Sequence, residues 1–157
     1  MTTPDSLDVK IISCLNKNAR AKASQISEEI NLSVSAVTER IKKLESSGII
    51  RGYTVLLDQK KLGNDVVALM EVCLEHPRYY EHFAQVVAET PNIVSCYYMT
   101  GDADFMLKIV TDSPESLELT HRMLKSLEGV SGTKTNVVLR SVKEGISVLP
   151  KESGEIY

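Results

Sequence analysis

Apolar residues in the first third of the chain recur three and four positions apart, which is the period of amphipathic helices. The spacing predicts helices over 6–18, 23–30 and 33–48. Ser33 is placed to cap the third helix, and Gly48 is placed to end it in a left-handed conformation. The apolar face of this helix carries Val34, Val37, Ile41 and Leu44. Each helix is too short to be stable alone, so we expect the three to share one core.

The segment 49–58 follows the third helix and is rich in aliphatic residues, which predicts a strand. Helices followed by such a strand are the pattern of a winged helix-turn-helix domain. The next segment, 58–65, is polar and breaks the pattern, so we place a linker there. We therefore predict a helix-turn-helix domain with a linker strand over 1–63, and a second domain with a C-terminal tail over 64–157.

The second half alternates between strand-like and helix-like patterns. The predicted elements are a strand over 66–75, a helix from Pro77 to about Thr90, strands over 93–100 and 105–111, a helix from Ser113 to Gly129, and a strand over 134–142. The order β-α-β-β-α-β predicts a ferredoxin-like domain. The whole chain is thus expected to be an α+β protein.

The first predicted strand of this half is apolar on both faces. Alternate positions place Val66, Ala68, Met70, Val72 and Leu74 on one face and Val67, Leu69 and Cys73 on the other. Two helices cover only one face of a four-stranded sheet, so the other face would form a large apolar patch. A second copy of the chain is the simplest cover, which predicts a homodimer through residues 64–142.

Charge is distributed unevenly along the chain. The net charge is −3, but residues 1–63 carry +3 and residues 64–157 carry −6. This asymmetry suggests that only the first half meets an anionic partner such as double-stranded DNA. Because +3 is modest, we expect one subunit to bind DNA weakly and several subunits to act together.

The reactive side chains do not form a recognisable catalytic or metal site. Cys14, Cys73 and Cys96 are odd in number and widely spaced among apolar neighbours, so we expect buried thiols and neither a disulfide framework nor a structural metal. His121 lies among polar neighbours without an evident partner. No Ser-His-Asp set or phosphate loop is present. The start of the chain lacks a secretory signal, and no apolar run is long enough for a membrane span, so we expect a cytoplasmic protein that is not an enzyme and has no cofactor.

The third helix is in the position of a DNA-recognition helix. We predict that Ser35, Thr38 and Glu39 face base edges, and that Ser33 brings the helix N-terminus to a phosphate. The residues expected near phosphates are Arg40, Lys42, Lys43 and Arg51. Two alternatives stay open: the lysines serve only solubility, or Arg40 holds Glu45 or another acid in a structural ion pair.

Several short motifs together resemble the Lrp/AsnC family of leucine-responsive and asparagine-responsive transcription regulators. They are Leu7-Asp8 with Ile11-Ile12 and Leu15, Asn18-Ala19-Arg20, Leu32-Ser33-x-Ser35, Arg40-Ile41-x-x-Leu44-Glu45-x-x-Gly48-Ile49-Ile50-x-Gly52-Tyr53, Thr100-Gly101-Asp102-x-Asp104 and Thr133-x-Thr135. The match spans about residues 6 to 142. The resemblance implies a regulator that dimerises, often assembles further into octamers, and holds a free amino acid between dimers.

The same resemblance assigns an effector site to the loop around Gly101. Its expected residues are Thr100, Gly101, Asp102, Asp104, Thr133 and Thr135. Backbone N–H groups beside Gly101 suit the carboxylate of an amino acid, and the Asp104 carboxylate suits its ammonium. The open alternative is that this segment is an ordinary hairpin turn, which Gly and Asp also favour.

The expected function is therefore a sequence-specific DNA-binding transcription regulator that responds to a small amino acid. Two other functions are weighed against it. A stand-alone amino-acid sensor would not need the three N-terminal helices. A small acylphosphatase-like enzyme would need a convergent Arg and Asn, or a nucleophile with a base, and neither set is evident in the sequence.

Overall fold

The computed structural model describes residues 3–145 and 147–150, so the last residues of the predicted second domain, 151–157, lie outside the described part. The chain divides into two compact units, which meet in sequence at Leu56 and Leu57. The first contains the N-terminal helices, and the second extends to Lys143.

The first unit is a three-helix core. Its helices are α1 (Ser6–Lys17), α2 (Ala23–Ile30) and α3 (Val34–Ser46), as the periodicity predicted to within one or two residues. The buried side chains at their centre come from all three helices: Ile11, Cys14, Leu15, Ile26, Val37 and Leu44. This shared burial supplies the stability that each short helix lacks alone.

Local capping residues set the helix ends. The Asp5 carboxylate accepts a hydrogen bond from the backbone N–H of Asp8 at 2.8 Å. The Asp8 carboxylate in turn accepts one from the backbone N–H of Asp5 at 3.2 Å. The Ser33 hydroxyl oxygen accepts the Ala36 N–H at 3.2 Å, which fixes the start of α3 as predicted. Gly48 follows the end of α3 with a φ of 74°, the left-handed conformation that the sequence predicted for it.

The predicted strand over 49–58 is not present in this chain. These residues are extended and assigned to neither helix nor strand. Val55 and Leu56 are 73% and 81% exposed. A strand requires a hydrogen-bonded neighbour, and no described residue provides one for this segment. The prediction of a strand over 49–58 was therefore wrong, because an aliphatic composition does not by itself provide a hydrogen-bonded neighbour.

The second unit has the predicted β-α-β-β-α-β order. After a short 3-10 turn (Lys60–Leu62), its elements are β1 (Val66–Leu74), a 3-10 turn (Pro77–Tyr79), α4 (Tyr80–Glu89), β2 (Ile93–Tyr98), β3 (Phe105–Thr111), α5 (Pro114–Lys125) and β4 (Val130–Val137). The strands form one antiparallel sheet in the order β2-β3-β1-β4. This is the ferredoxin-like arrangement that the sequence predicted.

The last strand begins and ends earlier than predicted. The sequence placed it over 134–142, whereas β4 runs over Val130–Val137, and α5 ends at Lys125 rather than at Gly129. The pairing partner sets these limits, because β4 pairs with β1 from Leu74 to Ala68 and β1 has little length left beyond that point. Gly129 instead forms the turn before β4, where its φ is 85° and a side chain would collide with the ring of Tyr79.

The two faces of the sheet differ in polarity. Ala68, Met70 and Val72 are fully buried beneath α4 and α5 in a core with Phe83 and Leu107. On the opposite face, the apolar positions of β1 have charged neighbours on the adjoining strands. Leu69 pairs with Lys108, and Glu71 pairs with Lys134, whose Nζ lies 3.9 Å from its carboxylate. This face is more amphipathic than β1 alone predicted.

The three cysteines are not all buried. Cys14 lies in the core of the first unit, Cys73 is half-buried on β1, and Cys96 is exposed on β2. The prediction of buried thiols was therefore wrong for Cys96. Its apolar neighbours in sequence suggested burial, but β2 is an edge strand and so has a neighbouring strand on one side only.

Candidate functional sites

The exposed face of α3 carries the side chains predicted to contact DNA bases. Ser35, Glu39 and Lys42 follow one another at helical spacing opposite the buried Val37 and Leu44, and all three are exposed. The Ser33 and Ser35 hydroxyls lie 3.1 Å apart at the N-terminus of the helix. This helix face is polar and exposed, as insertion into a major groove requires.

Thr38 lies at the edge of this surface. Its hydroxyl donates to the Val34 carbonyl one turn earlier at 2.8 Å. The hydroxyl proton is therefore engaged with the helix backbone, whereas the oxygen keeps a lone pair that can accept a bond from outside.

Arg40 is held in an ion pair inside the first unit. Its Nη1 donates to Asp5 Oδ2 at 2.8 Å and to Asp8 Oδ1 at 2.7 Å. These two carboxylates raise the pKa of the Arg40 guanidinium. The pKa of Asp5 is lowered, mainly by the Asp8 backbone N–H and next by Arg40. Arg40 therefore forms a structural ion pair, which was one of the alternatives left open. Its partners are Asp5 and Asp8 at the start of α1, and not Glu45.

The other three cations behave differently. Lys42, Lys43 and Arg51 are exposed and form no ion pair with any residue in the described ranges. Lys43 lies on the side of α3 that faces the start of α1, where it borders a small cavity with Asp8 and Ile49. Glu45, the acid considered for Arg40, instead accepts the Tyr53 hydroxyl at 2.9 Å. Of the four cations predicted to lie near DNA phosphates, these three remain available to bind a phosphate.

In the second unit, the predicted effector loop joins β2 to β3. Its ends are closed by a bond from the Met99 N–H to the Asp104 carbonyl at 2.9 Å. The Asp104 N–H donates to the Val72 carbonyl of β1 at 3.0 Å, which joins the loop to the centre of the sheet. Gly101 has a φ of 126°, a conformation that favours glycine. The loop is therefore a hairpin connection, with a backbone shape that depends on Gly101.

The Asp104 carboxylate points into the fold and has two partners there. Oδ2 accepts the Leu74 N–H at 2.7 Å, and Oδ1 accepts the Tyr80 hydroxyl at 2.6 Å. The Leu74 bond is the main cause of a lowered pKa at Asp104, and the Tyr80 bond adds to it. The hydrogen bond to Asp104, followed by a hydrogen-bond contact with Tyr98, raises the pKa of Tyr80. The role predicted for Asp104, to receive an ammonium, stays a prediction, and each oxygen of its carboxylate already accepts one bond within the fold.

The preceding residues of the loop are more accessible. Thr100, Gly101 and Asp102 are exposed. The Asp102 carbonyl accepts the Cys73 thiol at 3.4 Å, a weak bond from the open face of β1. The Asp102 carboxylate has neither a hydrogen bond nor an ion pair to any described group. The one uncommitted carboxylate among the predicted effector residues is therefore Asp102.

Thr133 and Thr135 lie on β4, where they alternate with exposed residues. The Thr133 hydroxyl is 3.1 Å from Nε2 of His121 on α5. The Thr135 oxygen is buried and has no hydrogen-bond partner among the described residues. Thr133 pairs with Val72, the same β1 residue that accepts the Asp104 N–H. Val72 thereby places Thr133 and the loop at the same end of the sheet.

Two residues of this region, Tyr80 and His121, were missed by the sequence analysis. Tyr80 precedes the buried Phe83 and Val87 by three and seven positions, so helical spacing alone places it inward. His121 lies four residues after Leu117 and three before Leu124, again on the inward face. Helical spacing indicates the inward face in both cases, but it does not identify the hydrogen-bond partners, Asp104 for Tyr80 and Thr133 for His121.

Among the described residues, no group of three or more His, Cys, Asp or Glu side chains is arranged to hold a metal ion. None of their helices is both long and apolar enough to cross a membrane.

Comparison with known families matches both units. Residues 4–51 match the family described as winged helix-turn-helix DNA-binding. Residues 67–148 match the Lrp/AsnC ligand binding domain. The two matches follow one another along the chain, in the order in which the structure places its two units.

Individual relatives match over nearly the full length. The HTH-type transcriptional regulator FL11 of Pyrococcus horikoshii is 37% identical over 140 residues, which is 89% of this chain and 92% of that protein. The HTH-type transcriptional regulator LrpC of Bacillus subtilis is 37% identical over 138 residues, covering 88% and 93%. A solved structure of the transcriptional regulator NMB0573 of Neisseria meningitidis with L-Met superposes with a TM-score of 0.88 at 30% identity, covering 93% of this chain and 96% of that one.

Proposed function

Since the chain belongs to the Lrp/AsnC family of transcription regulators, we propose that α3 reads a specific DNA sequence and that the second unit senses a free amino acid. The observation that carries this proposal is the division of polar surface between the units. The first unit exposes a capped helix with unpaired cations, and the second exposes a glycine-containing loop beside an uncommitted carboxylate. We place the functional division in the linker before β1, as expected for domains over 1–63 and 64–157.

On DNA, each part of the α3 surface has its own role. Ser35, Thr38 and Glu39 face base edges, and Ser33 brings the positive end of the helix to a phosphate. Lys42, Lys43 and Arg51 neutralise phosphates. Arg40, which was expected among them, instead fixes the orientation of α3 through its ion pair with Asp5 and Asp8.

The proposed effector is an amino acid bound at the loop. The L-Met complex of the Neisseria regulator, a structural neighbour with 30% identity, supports this class of ligand. The residues that we propose to surround it are Thr100, Gly101, Asp102, Asp104, Thr133 and Thr135. No resident cofactor or metal is proposed.

We further propose that the chain works as a homodimer and as a higher oligomer such as an octamer. The open sheet face carries Leu69, which is exposed, and the half-buried Val67 and Met106, an apolar surface that a second copy would bury. Pairing copies also multiplies the modest +3 charge of the first 63 residues. An effector bound between dimers changes DNA affinity by favouring one assembly over another.

The competing functions receive less support. The match of residues 4–51 to a DNA-binding family disfavours a stand-alone amino-acid sensor. A small acylphosphatase-like enzyme would be built on the second unit, whose match is to a ligand-binding domain of transcription regulators. We therefore propose that the protein is not an enzyme and that it acts in the cytoplasm, where bacterial and archaeal DNA lies.

A DNA-binding titration with an amino-acid screen tests the proposal. The chain's own upstream region, labelled with a fluorophore, is titrated with protein and compared with a scrambled duplex. We expect preferential binding of the upstream region, and a change in that binding with at least one of the twenty amino acids. The same amino acid should raise the thermal midpoint by mass action. Equal binding of both duplexes, or no response to any amino acid, would contradict the corresponding half of the proposal.

A further inference from the structure

An acidic side chain lies in the middle of the exposed face of α3. Val37 and Leu44 of this helix are buried in the core of the first unit. Ser35, Glu39 and Lys42 lie on the opposite side at helical spacing, and all three are exposed. Once this face lies in a major groove, the Glu39 carboxylate is close to the bases and flanked by phosphates. A negative charge in that place opposes DNA binding unless it meets a hydrogen-bond donor there.

No structural role within the first unit accounts for the Glu39 carboxylate. Lys42 and Lys43 follow it by three and four residues, a spacing at which glutamate and lysine often pair on a helix. Neither pair forms, and the carboxylate has no other ion pair or hydrogen bond among the described residues. Glu39 also lies beyond the first turn of α3, in which an acid stabilises the positive end of the helix. Its charge is therefore free to act on a bound partner.

The backbone that carries Glu39 is held on both sides. Thr38 donates its hydroxyl to the Val34 carbonyl at 2.8 Å. Arg40 forms its ion pair with Asp5 and Asp8 at the start of α1. Because the helix is fixed by these contacts and by its buried face, the direction in which Glu39 leaves the helix is set before DNA binds. This preorganisation suits a side chain that discriminates between bases.

The major groove offers a carboxylate one well-suited partner. Guanine and thymine expose only acceptors there, O6 and N7 or O4, and these repel a negative charge. Adenine exposes the N6 amino group, but the N7 acceptor stands beside it. Cytosine exposes the N4 amino group next to an apolar C5 position, so that a carboxylate meets a donor and no acceptor on the same base. A carboxylate that faces base edges therefore favours cytosine.

From this arrangement we infer that Glu39 selects cytosine at one position of the DNA site, by accepting a hydrogen bond from its N4 amino group, and that the same charge disfavours guanine and thymine there. The inference rests on the proposed reading of DNA by α3 and assigns the base that one residue recognises. The acid thereby weakens binding to unrelated DNA while it preserves binding to the cognate base pair, which increases specificity.

Selection of bound duplexes from a randomised library, followed by sequencing, tests the inference with the full chain. The wild type should enrich cytosine at one position by at least about fivefold over any other base. Glu39→Gln keeps the length of the side chain but carries an amide, which pairs with N6 and N7 of adenine. This variant should enrich adenine at the same position. Glu39→Ala should show no preference there.

Glu28→Gln is the matched control, because it removes one exposed carboxylate from α2 of the same unit. Both glutamine variants lose one negative charge, so a general rise in DNA affinity should appear in both. Only Glu39→Gln should lose the preference for cytosine. Circular dichroism at the selection temperature shows that each variant is folded.

A modified duplex tests the amino group itself. Replacement of the selected cytosine by 2-pyrimidinone removes the N4 amino group and leaves the rest of the base unchanged. Fluorescence anisotropy at one fixed salt concentration measures the affinity for both duplexes. The wild type should lose at least about fivefold in affinity, and Glu39→Ala should lose clearly less. The comparison between the two proteins removes the effect of the modified base on the duplex.

Other outcomes identify which claim fails. Retention of the cytosine preference in Glu39→Gln and Glu39→Ala would overturn the role of Glu39 and leave sequence-specific binding intact. Loss of that preference in Glu28→Gln, or an equal loss of affinity for the modified duplex in the wild type and Glu39→Ala, would do the same. A wild type that enriches no sequence would overturn the proposed reading of DNA itself.

Discussion

Arg40 in the first unit and Asp104 in the second are counterparts. Each is a charged residue within the most family-like motif of its unit, and each was expected to meet a ligand. In the structure each bonds to two partners of its own chain: Arg40 to Asp5 and Asp8, and Asp104 to Leu74 and Tyr80. Their exposed neighbours Lys42 and Asp102 are left without such partners among the described residues. A charged residue within a family motif can therefore be held by partners in its own chain.

Substitution of Arg40 tests this comparison most directly. In Arg40→Gln we expect a loss of about 1–3 kcal/mol in the free energy of unfolding, because the half-buried pair leaves Asp8 with its charge uncompensated. Thermal denaturation measures the loss. The affinity for DNA should fall, but the slope of its logarithm against the logarithm of salt concentration should stay that of the wild type, because no phosphate contact is removed. A shallower slope would show that Arg40 contacts DNA after all.

For Asp104, the dependence of the thermal midpoint on pH tests whether its charge stabilises the fold. Its pKa in the folded protein lies below the ordinary value of 3.8. The carboxylate therefore contributes stability that is fully present above that value and is lost as the pH falls through the lowered folded pKa. Asp104→Asn should reduce the thermal midpoint by several degrees at pH 6 and by progressively less below pH 4. The two midpoint curves should converge in acid, and a constant offset between them would contradict a stabilising charge at this position.

The smallest effect on stability is expected for Lys42→Ala. Its expected outcome is the reverse of that for Arg40→Gln. Lys42→Ala should leave the thermal midpoint unchanged, because the side chain is exposed and has no ion pair in the described chain. The salt slope of DNA binding should become shallower by about one for each copy bound. Lys60→Ala is a matched control from the 3-10 turn after the first unit. Equal slopes for the two variants would argue against a phosphate contact at Lys42.

Features that depend on residues close together in the sequence could be predicted, whereas features that depend on distant residues could not. The starts of α1, α3 and α5 were predictable because Asp5, Ser33 and Ser113 cap them through bonds to residues only three positions away. The limits of β4 depend on how much of β1 remains to pair with it, which no local pattern encodes. The strand predicted over 49–58 is the extreme case, since its composition favours a strand but no described residue pairs with it.

The same distinction applies to the candidate sites. Sequence motifs located the loop around Gly101 and the exposed face of α3. They could not show that Asp104 is bonded to Tyr80, which lies 24 residues away, or that Arg40 reaches Asp8 at a separation of 32. Contacts of this length depend on the folded arrangement of several elements. The motif therefore indicated where the site lies, whereas the division of roles within it required the structure.

The anchoring of the loop at Asp104 also bears on how such a sensor can diversify. Since the shape of the loop is held by Asp104, Leu74 and Tyr80, the exposed positions Thr100 and Asp102 can be substituted at little cost in folding free energy. If these positions contact the effector as proposed, single changes there would alter ligand preference while the shape of the loop stays constant. Descendants of one ancestral gene could in this way acquire different effectors without passing through an unfolded intermediate.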